Sequence, residues 1–108
     1  MKNLHHLAEE RSLAYHRRVA EFLPTRPDLL LIARQRAQEW AASGGHHAPY
    51  AREWLRLLAL PLDQLLAKLV DPSQPARDLR QATPFAGALD PRERWTLWKD
   101  VRDRWEAR

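Results

Sequence analysis

The residues that could do chemistry in this chain are five histidines, three serines, three threonines and fourteen carboxylates. A helical metal pair needs two ligands three or four residues apart on one face. The histidines come instead as His5-His6, His16 and His46-His47. His5 with Glu9 and His6 with Glu10 have a helical spacing, but such pairs are common on solvated helix faces. The neighbouring pairs, at the terminus and in a loop, are expected to be solvated. A nucleophile would have to be Ser12, Ser43, Ser73 or a threonine, and none lies in a glycine-rich elbow. The only adjacent glycines, Gly44 and Gly45, have no phosphate-cradling pattern around them. With no cysteine, thiolate chemistry and disulfides are excluded. The expectation is no catalytic residue, no metal site, no cofactor and no enzyme.

Two segments carry side chains suited to binding. In residues 62–82, read as helix, short turn and helix, Gln74, Arg77, Arg80 and Gln81 could reach base edges and phosphates. The turn has Pro72 and Pro75 where a glycine is usual, and Asp78 sits among the arginines. The second segment is the C-terminal helix, where Trp95, Trp98, Val101 and Trp105 are spaced three, three and four and are read as one seam. Trp95 is expected to be structural. Trp105 is the fourth residue from the end of the sequence, where a helix frays and little core should cover it. Tryptophan and arginine concentrate at binding hot spots, so Trp98, Arg102, Trp105 and Arg108 are the candidate partner-binding residues.

These side chains need helices to position them. Ala, Leu, Arg and Glu abound and β-branched residues are few, which favours helix over strand. A first helix is expected over 3–23, with Leu4, Leu7, Tyr15, Val19 and Phe22 on one stripe. Thr25, with Asp28 three residues on, should cap a second helix. That helix would bury Leu29, Ile32, Ala33, Ala37 and Trp40 and stop at Gly44-Gly45. Further helices follow at 50–60, 62–70 and from a Ser73 cap to residue 81. Phe85 should drop into the core beside Trp95. Asp90, Pro91 and Glu93 form a capping box that starts the last helix. The whole is an all-α, compact bundle of five to six short helices in a single domain, 1–108, with its core near residues 54–70.

Composition narrows the function classes. The chain has 108 residues, 44% hydrophobic and 30% charged, a globular composition. The formal net charge of +4 is spread along the chain: 7 basic and 5 acidic residues in 1–45, and 6 and 5 in 90–108. No block of like charge marks a nucleic-acid tail. No apolar run approaches the ~20 residues of a membrane span, and the N-terminus lacks a signal-peptide pattern. The expected location is the cytoplasm, with no membrane association.

The stretch Ala82-Thr83-Pro84-Phe85-Ala86-Gly87, leading into Pro91-Arg92-Glu93-Arg94-Trp95, resembles the tail of a group of small prokaryotic helical proteins. Tyr15-His16-Arg17-Arg18-Val19-Ala20 and Leu60-Pro61-Leu62-Asp63 are similar to the same group. The resemblance implies a small partner in a toxin–antitoxin or related two-gene module. It therefore implies a protein partner, a toxin or effector that the chain would bind and neutralise or regulate, and DNA binding for autoregulation as an alternative. The chain departs from the commoner antitoxin design in having no disordered, strongly charged tail. A helical homodimer acting as a structural adaptor is a third reading.

Overall fold

Each helix begins and ends where the local chemistry requires it. A computed structural model describes the backbone of residues 4–107 and the side chains of residues 6–107. The described residues form six α-helices: α1 (Leu4–Phe22), α2 (Pro27–Ser43), α3 (Ala48–Leu58), α4 (Leu62–Leu69), α5 (Gln74–Gln81) and α6 (Pro91–Glu106). Among the described residues there is no strand. The radius of gyration is 14.2 Å, near the ~13 Å of a compact chain this long. No helix among the described residues is long and apolar enough to cross a membrane.

Helix α1 buries Tyr15 and Val19, and the stripe continues into Leu23 of the 3₁₀ turn that follows. These residues are four apart, so they stack on one face. Thr25 does not cap α2. Its hydroxyl donates to the Phe22 carbonyl at 3.2 Å and closes α1 instead. Helix α2 starts on Pro27, which suits a first helical position because its missing N–H would be unsatisfied there anyway. Asp28 takes the first turn and pairs with Arg26 at 2.8 Å.

Helices α2 and α3 pack through small residues. Ala33, Ala37 and Ala51 are wholly buried, which lets the two backbones approach closely. The inward stripe of α2 is Leu29, Ala33 and Ala37, and Ile32 turns outward at 43% exposure. Ile32 precedes Ala33 by one residue, about 100° around the helix, so both cannot face α3. Gly44 ends α2 at φ 74° and ψ −156°, a conformation essentially confined to glycine.

The core is where the sequence places it. Trp54, Leu57, Leu58, Leu65 and Leu69 are buried together with Phe85 and Leu89. The Trp54 indole donates to the Leu79 carbonyl at 3.1 Å, tying α3 to α5. Phe85 enters this core, but its ring neighbours are Trp54 at 6.0 Å and His16 at 6.5 Å. Trp95 is 64% exposed and takes no part.

Residues 82–90 form a strap between α5 and α6, clamped from both sides. From α1, the Tyr15 hydroxyl donates to the Phe85 carbonyl at 2.7 Å and accepts from the Leu89 N–H at 3.4 Å. From α2, Arg36 donates to the carbonyls of Pro84 and Ala86. Asp90 then caps α6 by accepting from the Glu93 N–H at 2.9 Å. Glu93 does not complete a capping box. Its carboxylate pairs with Arg18 of α1 at 3.1 Å.

Candidate functional site

Helix α6 lies antiparallel on α1. Glu93 meets Arg18 near one end, and at the other Trp105 shares a small cavity of about 110 Å³ with Glu10, Ala14 and Arg17. Helix α1 is long enough, at 19 residues, to cover α6 almost to its end. Trp105 is therefore half-buried against α1, not left at an uncovered terminus. Trp98 is also half-buried, with the Arg94 guanidinium 5.2 Å from its ring. Val101 between them is buried.

The four-residue seam thus divides. A helix advances about 100° per residue, so each step of three falls about 60° short of a full turn. The step from Trp95 to Trp98 and the next to Val101 accumulate that deficit. Trp98, Val101 and Trp105 face α1, and Trp95 is rotated out of contact. On the outer face, Arg92, Trp95, Lys99 and Arg102 are all exposed and lie within about 80° of one another. Glu106 ends the same stripe. Of the predicted partner-binding residues, Arg102 is thus on the solvent face, Trp98 and Trp105 are on the α1 face, and Arg108 lies outside the described residues.

The predicted nucleic-acid set does not form one free face. Arg80 is buried, at 3% exposure. Its Nη1 donates to the Asp71 carbonyl at 2.7 Å and to the Leu69 carbonyl at 3.4 Å. It caps the end of α4, whose last carbonyls have no intrahelical donors. Burial lowers the Arg80 pKa, helped by repulsion from Arg77 and opposed by Asp71 and Glu9. The expectation that Arg80 is presented outward is corrected: the apolar face of so short a helix includes it, and its stem packs inside. Arg77 pairs with Glu9 of α1 at 3.3 Å. Gln74 donates to Asp78 one turn on, at 3.0 Å. Gln81 is exposed beside the strap.

His16 is the residue the sequence reading passed over. It is 1% exposed, stacked near Trp54 at 6.4 Å. Its Nδ1 lies 2.7 Å from the Ser12 carbonyl, which can only accept, so Nδ1 carries the proton. Nε2 is then the acceptor for the Thr83 hydroxyl at 2.8 Å. The Thr83 oxygen in turn accepts from the Phe85 N–H at 3.1 Å. Burial lowers the His16 pKa to about 4, against the Ser12 hydrogen bond, which raises it; the Arg80 charge lowers it further. A hydroxyl on an imidazole has the geometry of a nucleophile and base. An imidazole so reluctant to take a proton is a poor base near neutrality. The pair acts as a strut that fastens the strap to α1. A signal for it existed: Ser12, His16, Val19 and Leu23 share one helical face.

Among the described residues no three His, Asp or Glu side chains gather as a metal site would require. No family model, no curated protein and no solved structure matches this chain.

Proposed function

We propose that the chain is a non-enzymatic protein-binding module, an antitoxin-like small partner that acts in the cytoplasm. In this reading it binds and neutralises or regulates a prokaryotic toxin or effector. The observation that carries the protein-binding part is Trp95, 64% exposed on a helix capped at its start and packed along its length. A large aromatic held out on a rigid element loses little freedom on binding. Arg92, Lys99 and Arg102 surround it, so the fitting partner offers an apolar pocket with an acidic rim. The antitoxin-like role rests on the resemblance carried by residues 82–95, 15–20 and 60–63.

The alternative, a DNA-reading segment at residues 62–82, has less to support it, because Arg80 is committed to the end of α4 and Arg77 to Glu9. The test is purification of the full chain from its native cells, beside its Trp95→Ala variant. Trp95→Ala is expected to change stability by less than about 0.5 kcal/mol, as exposed sites do. It should weaken a stoichiometric protein partner by about 2 kcal/mol, roughly thirtyfold. A partner retained at full strength by Trp95→Ala sinks the assignment of the face. Co-purified DNA that is released steeply by salt would favour the second reading. Self-association in sedimentation, abolished by Trp95→Ala, would favour the homodimer.

A further inference from the structure

A cleft of about 430 Å³ lies beside α6, lined from that helix by Arg94 and Trp98 and not by Trp95. It is bounded by α1, α5, the strap and α6, and that volume is within the range of small-molecule sites. Three arginines reach it from three different helices: Arg11, Arg80 and Arg94. Among the described residues no carboxylate lines it. Arg11 and Arg94 form no ion pair among the described residues. The Nε atoms of Arg11 and Arg80 are both buried without a hydrogen-bond partner. The acids whose charges act on Arg80 are engaged elsewhere, Glu9 with Arg77 and Asp71 with the Ser73 N–H.

Such a cluster is costly by itself. Guanidiniums stay charged in proteins, and like charges around a partly desolvated cleft repel one another. Folded proteins ordinarily pair buried charges, and here no side chain does so. The rest of the wall is largely apolar and aromatic, with Tyr15 and Trp98 on facing helices. The Arg94 guanidinium lies over the Trp98 ring, 5.2 Å from its centre, so a cation and an aromatic ring stand together in the wall.

We propose that this cleft binds a small organic anion, a flat ring bearing a carboxylate or a phosphate. The charged head would sit between Arg11 and Arg94, where charge-assisted bonds to guanidinium are strongest, with Arg80, whose Nη1 is held by the α4 carbonyls, adding its charge and its unpartnered Nε. The ring would lie against Trp98. The site is distinct from the protein-binding face, because Trp95, Arg92, Lys99 and Arg102 do not line it.

The test uses the full chain with four probes: benzoate, phenyl phosphate, inorganic phosphate and neutral benzyl alcohol. Benzoate or phenyl phosphate is expected to raise the melting temperature and to shift the Trp98 indole N–H resonance, leaving that of Trp95 unmoved. The tighter of the two identifies the head group. Arg11→Gln with Arg94→Gln should weaken binding by at least about tenfold. The wild-type resonance shifts report on the site even where that variant fails to fold. Benzyl alcohol binding as well as benzoate would overturn the anionic site. Inorganic phosphate binding as well as phenyl phosphate would overturn the organic ligand. No shift at Trp98 with any probe, or equal shifts at Trp95, would overturn the cleft itself.

Discussion

Lowering the pH from about 7 to about 5 is expected to destabilise the fold by about 2 kcal/mol through His16 alone. The imidazole takes its proton at 6.5 in the unfolded chain and at about 4 when buried. At about pH 5 the unfolded chain is almost fully protonated there, and the folded chain holds about a tenth of a proton. The unfolded state binds more protons, so stability falls as the pH falls. The contribution is whole above 6.5, declines through the window between the two values, and levels off below about 4, a total of about 3 kcal/mol. This is a large part of the ~5–15 kcal/mol that holds a small domain. Urea denaturation read by tryptophan fluorescence measures it, with a midpoint about 1 M lower at about pH 5. His16→Gln cannot take the proton, so its stability should be nearly flat over that range, whatever its absolute value. A wild type that loses less than about 0.5 kcal/mol, or a variant that loses as much as the wild type, would refute the reasoning.

Two further perturbations test the strap and the helix ends. Tyr15→Phe removes the hydroxyl shared by Phe85 and Leu89 and should cost about 1–3 kcal/mol in denaturation, because both backbone groups stay buried; hydrogen exchange at the Leu89 amide should quicken. Arg80→Met keeps an apolar stem but uncaps the carbonyls of Leu69 and Asp71, with an expected loss of about 1–3 kcal/mol in urea; a gain in stability would show that relieving the buried charge outweighs the lost caps.

The helices were readable because their signals are local. Pro61, Ser73, Asp90-Pro91 and the Gly44-Gly45 pair punctuate the chain, and the apolar residues from Trp54 to Leu69 recur at helical spacing. The tertiary placement of polar groups was not readable. Nothing local to Arg80 says that its guanidinium will meet carbonyls nine and eleven residues back. Trp95 and Trp98 look alike in sequence, and only the angle at which α6 settles on α1 separates them. Thr25 and Glu93 have capping spacings, yet tertiary partners or the preceding turn claim both side chains. The cleft gathers arginines from positions 11, 80 and 94, a juxtaposition that depends wholly on how α1, α5 and α6 meet.

His16 and the arginine cleft are coupled by the same electrostatics. His16 lines the cleft, and Arg80 is the charge that disfavours its proton. Its other neighbours are neutral: Ser12 and Thr83 by hydrogen bond, and the rings of Tyr15, Trp54 and Phe85. Protonating His16 would add a fourth cation to Arg11, Arg80 and Arg94. An anion seated among the arginines offsets that repulsion, so it should raise the His16 pKa toward its ordinary value. Linkage then requires the converse, that the anion binds more tightly as His16 becomes protonated. Saturating benzoate should therefore shrink the stability loss between about pH 7 and about pH 5, and its affinity should rise over the same range. His16→Gln should abolish that rise and still bind benzoate. An affinity that rises equally in His16→Gln would show that the proton binds elsewhere, and that the histidine strut and the cleft act separately.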